Sequence, residues 1–331
     1  MQPLAGLCSL TGFNRRTTTA STGTHPMADA DKSWITTANP LGESQHVWFA
    51  TAHLQLTNNI VLTNPEPFAN EGFTVHPMNP GVGDNVVRAL LDGRAEYCNV
   101  LGMPLIRAVQ GMPLKFIASF QNTGWELWTR PGIERLQDLA GKTIGRTSPF
   151  PRERLDAALR QHGVDPAAVR EGPLIQLDAA GVQDVVNGVV DGALLMAPIC
   201  AIAKEAGLTS PYDLNLSGDS VAYGIMTSDR MLAEQRDDVK RFLRAVLHST
   251  GDLKHNRDLA RELVRQQFVP ERYIDQALDA TLPYLNQSGE LAEESQQRWI
   301  DISRKILGLE RAVAAEQVFD FSILSELNNG A

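Results

Sequence analysis

With 331 residues, 43% of them hydrophobic and 21% charged, the chain has the composition of a folded globular protein and the length of one large α/β domain or two lobes. Its net charge of -9 excludes an ordinary nucleic-acid binder, whose affinity comes from Lys and Arg neutralising phosphates. No apolar run approaches the roughly 18 residues of a membrane-spanning helix, and the three scattered cysteines Cys8, Cys98 and Cys200 make neither a disulfide framework nor a paired-cysteine zinc site.

Residues 3–10 form a short apolar patch with no Lys or Arg before it, and the Arg15-Arg16 pair is followed by a Thr/Ser-rich stretch. Neither reads as an export signal, which needs a charged start and an apolar core. Residues 1–33 are expected to be disordered, with Met27 as an alternative start. From His46 onward the text alternates strand and helix. Residues 47–50, 73–75, 95–100 and 115–120 are short and rich in β-branched or aromatic residues, as strands are. Residues 85–92 between them place Val86, Val87, Leu90 and Leu91 on one helical face, and Gly93 supplies the stop. Such alternation implies a mainly parallel sheet.

The same unit returns further on: Val185, Val186, Val189, Val190, Asp191 and Gly192 repeat Val86, Val87, Leu90, Leu91, Asp92 and Gly93 at identical spacing. Strands are expected at 143–145, 174–177 and 193–196, with a helix at 152–162. Two similar α/β lobes follow from the repeat. Residues 121–131, with Gly124, Trp125, Trp128 and Pro131, read as one crossover between lobes, and residues 210–223 as a second, after which 224–227 resumes a strand. The helix from Ser228 carries an apolar stripe of Val239, Phe242, Leu243, Val246 and Leu247. Beyond it, Pro270 and Pro283 break a helical tail expected to cover the first lobe. The division is therefore 46–122 with 222–331 for one lobe and 123–221 for the other.

The segment Ile133-Glu-Arg-Leu-Gln-Asp-Leu-Ala-Gly-Lys-Thr-Ile-Gly145 resembles the one that opens the second lobe of the nitrate, sulfonate and taurine importer binding proteins. Residues 87–97 followed by Gly111-Met-Pro-Leu-Lys-Phe-Ile-Ala118 are similar to the same family in order and spacing, as are the return strand and long helix at 222–246. The resemblance implies a two-lobed α/β protein of the type II periplasmic-binding-protein fold with a helical C-terminal tail. It also implies a monomer that clamps a small anionic solute and presents it to an ABC permease, without a cofactor, in the periplasm, or a cytoplasmic protein if the start is genuine. The resemblance extends to enzymes on the same fold: sulfinate desulfinases, dihydroxyphthalate decarboxylases and fungal thiamine-pyrimidine synthases. The first segment departs from the binding-protein pattern, reading Phe49-Ala-Thr-Ala-His-Leu where a small-residue ligand loop is usual. The desulfinases place a cysteine just after the first strand, where this chain has His53, and the cysteine-rich motif of the pyrimidine synthases is absent.

Ligands of open α/β sheets sit beyond the carboxyl ends of the strands. That rule nominates His53, Cys98, Asn99, Gln121 and Thr123 from the first lobe. From the second it nominates Thr147, Ser148, Arg152, Asp184 and Met196, with Tyr223 at the return crossover. Ser148 before Pro149 reads as a helix cap, and Arg152 or Arg146 as the charge that would hold a carboxylate, sulfonate or nitrate. The alternative is an ordinary capped surface helix with solvated arginines. Cys98 is either a nucleophile or a small apolar core residue, and Trp125 and Trp128 either wall the ligand or pack the crossover. No P-loop, HExxH, GxSxG or complete dinucleotide loop is present, so binding without turnover is the simpler expectation.

Overall fold

The computed structural model describes residues 44–52, 57–99, 102–121, 124–147, 149–214, 223–267 and 269–329. The expected disordered segment 1–33 and three site candidates, His53, Thr123 and Ser148, lie outside the described residues. The first sheet has the order β2-β1-β3-β9-β4, formed by β1 (Gln45–Ala50), β2 (Phe73–Met78), β3 (Tyr97–Cys98), β4 (Leu114–Gln121) and β9 (Tyr223–Ser228). The second has the order β5-β8-β6-β7, formed by β5 (Glu126–Thr129), β6 (Thr143–Arg146), β7 (Arg170–Leu174) and β8 (Gly192–Leu195). Each sheet is parallel except for one strand: β9 runs against β3 and β4, and β5 runs against β8. The first sheet thus takes strands from both sides of the second in sequence, and two α/β lobes of the type II periplasmic-binding-protein fold result.

Strand alternation explains the two faces of the first sheet. Val47 and Phe49 of β1 are buried, while His46 and Trp48, alternating with them, are exposed on the other face beside β2. There His46 Nδ1 and His76 Nε2 lie 2.7 Å apart, with ring centroids at 5.0 Å, so the imidazoles meet edge to edge. On the buried face Tyr97 stacks on Phe242 of α9 (Arg236–His255) at 3.8 Å between centroids, with Phe68 and Phe73 packed around the same ring. The opposite face carries α3 (Asp84–Leu91) and α4 (Gly102–Gln110), whose Val86, Leu90, Leu105 and Val109 pack with Cys98, Phe116 and Met226.

Four expectations need correction. Residues 126–129 are strand β5, not crossover: a four-residue edge strand led by a glutamate and flanked by Gly124 and Pro131 carries too little apolar pattern to stand out. Strand β7 lies four residues earlier than expected and is mostly exposed, because it is the edge of its sheet. The repeated Val-Val pattern also does not align structurally. In the first copy Gly93 ends the helix at φ 68°, whereas in the second α6 (Ala179–Val186) is ended by Gly188 at φ 76° and Gly192 already opens β8. The equal spacing is a coincidence of composition laid over a shared helix-turn-strand unit. Finally, the helix from Ser228 is two helices, α8 (Asp229–Glu234) and α9, because the backbone leaves helical geometry at Gln235. Ser228 is the cap of α8, its Oγ accepting from the Met231 N–H at 3.3 Å.

The tail is helical as expected: α10 (Arg257–Gln266), α11 (Glu271–Asp279), α12 (Glu293–Leu307) and α13 (Ser322–Asn329). Pro270 immediately precedes α11, and Pro283 lies in a 3-10 turn, Leu282–Tyr284. The tail packs α12 on α4 and closes the outer edge of β4, where the Phe116 N–H donates to Val318 O at 2.8 Å and the Asp320 N–H to Phe116 O at 2.9 Å. Covering that edge removes a row of open backbone groups that would otherwise invite another strand. No helix among the described residues is long and apolar enough to cross a membrane.

Candidate functional site

The carboxyl ends of β1, β3 and β4 carry Thr51, Asn99 and Gln121, and those of β6 and β8 carry Thr147 and Met196. The antiparallel strands bring their first residues to the same end, since Tyr223 pairs with Gln121 and Glu126 pairs with Leu195. Gln121 and Glu126, which flank the first passage between the sheets, and Tyr223, which follows the second, therefore lie at this end. Gly124 makes the first passage possible. Its φ is 126°, and a Cβ placed on it would lie 2.5 Å from Gln121 Nε2 and 3.5 Å from Met196 Cε. Gln121 of the first sheet and Met196 of the second thus meet across a glycine backbone.

A 3-10 turn, Thr57–Asn59, follows β1 and spans the two lobes. The Thr57 N–H donates to Ala197 O beside β8 at 3.3 Å, and Asn99 Nδ2 at the end of β3 donates to Asn59 Oδ1 at 2.5 Å. Thr57, Asn58, Asn59 and Asn99 are all buried. Among the described residues, Thr57 Oγ1, Asn99 Oδ1 and both polar atoms of the Asn58 carboxamide have no hydrogen-bond partner. Buried polar groups are nearly always satisfied, and each exception calls for an explanation.

On the second-lobe side Glu126 is half-buried and accepts from Trp128 Nε1 at 2.9 Å, with the Cys200 thiol as a further partner. Burial raises the Glu126 carboxyl above the ordinary glutamate range, the two hydrogen bonds oppose that rise, and the charge of Asp213 adds to it. Burial and the neighbouring Glu126 hold the Cys200 thiol well above the usual cysteine range, so it is not a thiolate nucleophile. Burial likewise raises the Tyr223 phenol.

The structure brings Asn99, Gln121, Thr147, Met196 and Tyr223 to the junction. The Thr147 hydroxyl is spent on Leu194 O at 3.1 Å, and Met196 is packed in the core. Cys98 turns away: one residue from Asn99 on a strand, it faces Val86, Leu105 and Met226 as a small apolar side chain. Asp184 lies toward the far end of α6, about 9 Å along the helix axis from the cap at Asp178. Asp178, not Asp184, occupies the end nearest the junction, accepting from the Ala180 and Gly181 N–H groups. Arg152 is tied mainly to its own lobe, with only its buried Nη1 left open. Its Nε donates to Asp156 at 2.7 Å, and its Nη2 to the carbonyls of Pro166 and Val169 at 3.2 and 2.9 Å, so it fastens α5 (Pro149–Gln161) to the start of β7. Arg152→Ala should therefore lower stability to denaturant by about 1.5–3 kcal/mol, the usual cost of losing hydrogen bonds to a charged group, and leave solute affinity unchanged. Arg146 pairs with Glu171 at 3.6 Å, while Arg154 on α5 is buried, 8% exposed.

Sequence reasoning missed Thr57, Asn58 and Glu126. The available signal for the turn was three polar residues, Thr57-Asn58-Asn59, set directly before the apolar Ile60-Val61-Leu62. Elsewhere, α5 and α12 enclose a groove of about 510 Å³ lined by residues of both signs, including Glu153, Arg298 and Lys305. Lys305 Nζ reaches Glu153 Oε1 across it at 3.3 Å. A second bridge lies between α7 (Ile199–Glu205) and α11, where Tyr273 donates to Glu205 and Arg272 pairs with the same carboxylate at 3.3 Å.

Two sheets joined twice, with polar strand ends facing one another at the junctions, define a type II periplasmic-binding-protein fold. The chain belongs to the NMT1/THI5-like family, whose pattern it matches over residues 66–260, more than half its length. Among solved structures it is similar to the ligand-binding component of an ABC-type import system from Staphylococcus aureus, with TM-score 0.70 and 12% identity over 86% of this chain and 99% of that one. The periplasmic aliphatic sulphonate binding protein SsuA from Escherichia coli gives TM-score 0.66 and 15% identity over 83% and 97%. The desulfurization enzyme DSZB gives 0.61 and 14% over 86% and 99%. No curated protein matches the chain by sequence.

Proposed function

We propose that the protein is the solute-binding component of an ABC importer. In this reading two lobes, residues 46–122 with 222–331 and residues 123–221, close on a small polar organic solute and deliver it in the periplasm to a permease, the protein itself acting as a monomer. The observation that carries the reading is the turn Thr57–Asn59, which touches the second lobe through Ala197 and the first through Asn99 while burying unsatisfied polar atoms between them. A site that is polar, buried and shared by two lobes is what a hinge-closing binder needs. The sulfonate named for SsuA makes sulfonates the first class to try. With Arg152 Nε and Nη2 committed to Asp156 and to backbone carbonyls, the neutral donors left for the head group are Asn58 Nδ2 and the Thr57 hydroxyl of the turn.

A second reading, turnover on the same fold, is favoured by the likeness to DSZB. The thiol chemistry it would call on has no support from Cys98, buried among apolar side chains, or from Cys200, held protonated by burial. Calorimetric titration with small sulfonates, carboxylates, nitrate and their neutral analogues separates the two. One bound solute per chain, recovered unchanged, is the expected result. Consumption of the solute would favour the enzyme, and failure of every class to bind would remove the clamp.

A further inference from the structure

The Asn58 side chain is 2% exposed, and its carbonyl oxygen and its amide nitrogen are both without a partner. Its neighbours in the turn fix its location: Thr57 on one side donates to Ala197 of the second lobe, and Asn59 on the other accepts from Asn99 at the end of β3. The carboxamide therefore belongs to a turn that touches both lobes, in which Thr57 Oγ1 and the Asn99 Oδ1 of its contact residue are also open. Leaving a buried amide unsatisfied in both directions is costly, and replacing it by an apolar residue of similar size would remove that cost. An amide open at both atoms in a turn shared by the lobes is accounted for if a bound group completes it.

We infer that Asn58 reads the solute, and that the solute presents a hydrogen-bond donor beside an acceptor, as a primary amide, a urea or an amide-like edge of a heterocycle does. The inference rests on the clamp reading above and narrows its ligand class. An oxyanion such as a sulfonate, carboxylate or nitrate offers acceptors only. It would satisfy Asn58 Nδ2 and press its negative charge against Asn58 Oδ1. An amide edge satisfies both atoms at once, the way a side-chain carboxamide pairs with a base that shows a donor next to an acceptor. Sites built to hydrogen-bond a ligand discriminate strongly against an analogue that leaves one of their buried polar groups unpaired.

The test uses acetamide, benzamide and nicotinamide, each titrated beside its own carboxylate, with benzenesulfonate added, against the wild-type chain, Asn58→Leu and Asn58→Asp. At least one amide should bind the wild type about tenfold or more tighter than its carboxylate, and tighter than benzenesulfonate. Both variants should lose that preference, since leucine offers neither partner and aspartate only an acceptor. Without solute, Asn58→Leu should melt no lower than wild type, because it removes an unsatisfied buried amide. Three results would overturn the inference: no amide preferred, a preference that survives Asn58→Leu, or a variant that is destabilised with affinity unchanged, the mark of a purely structural asparagine. Tight benzenesulfonate binding indifferent to Asn58 would sink this inference and leave the clamp standing, whereas the clamp falls only if no class of solute binds.

Discussion

Replacing Phe242 by alanine should unfold much of the first lobe under mild denaturant. Its ring is fully buried on α9, lies 3.8 Å from the Tyr97 ring at an interplanar angle of 8°, and meets Phe68 at 5.3 Å and Phe73 at 6.2 Å. These partners come from α2 (Pro65–Asn70), β2 and β3, so one side chain joins three separate elements to the long helix. Truncating a buried phenylalanine costs about 3–5 kcal/mol through lost transfer energy and the cavity left behind. Three aromatic rings set against Phe242 place this site at the upper end, since each ring pair contributes about 0.5–1.5 kcal/mol beyond area. That is a large share of the 5–15 kcal/mol by which a typical domain is stable. Urea unfolding followed by circular dichroism checks it, and a loss below about 1 kcal/mol would show that α9 is held mainly by other contacts.

Gly224→Ala should be nearly as damaging although it adds one methyl group. Gly224 lies on β9 opposite Ser119 of β4, within a stretch where the ladder shifts register twice. A Cβ there would overlap the Ala118 carbonyl oxygen and the Phe116 ring. The ring could turn only against Phe319 and Phe321, which pack edge-on around it, and the carbonyl is fixed by the sheet. Overpacking usually costs about 1–3 kcal/mol, and an obstruction by backbone belongs at the top of that range. Because β9 is the strand by which the chain returns from the second lobe, the strain falls one residue from Tyr223 at the junction. Reduced melting temperature and reduced solute affinity are expected together. A variant as stable as wild type would mean that β9 can slide on β4.

Much of this fold is legible in the sequence because burial leaves a periodic trace. Strands β1, β4, β8 and β9 and the α9 stripe all fall where short apolar runs or 3.6-residue spacing place them. What escapes is structure without a trace. The edge strand β5 begins with Glu126 and interrupts a glycine-bounded passage, and the Thr57–Asn59 turn owes its place to contacts with Ala197 and Asn99 rather than to any local pattern.

The candidate site divides the same way. Asn99, Gln121, Thr147, Met196 and Tyr223 reach the junction because strand direction alone puts strand ends there. Cys98 could have been set aside in advance, since neighbours on a strand face opposite sides and Asn99 points to the junction. The partner of Arg152 was also legible, because Asp156 four residues on is the spacing at which opposite charges pair on a helix. Asn58 was not legible: a buried unsatisfied carboxamide is a fact of three-dimensional neighbours, and the sequence shows only two asparagines in a row.

The central claim, that two lobes close on a small solute between them, is tested most directly by solution X-ray scattering of the full chain with and without a saturating solute from the calorimetric panel. Closure about the two passages should lower the radius of gyration on saturation, in step with the fraction bound, and Arg152→Ala should close as the wild type does. A solute that binds one per chain while the scattering profile stays the same would contradict the clamp and point to a rigid site.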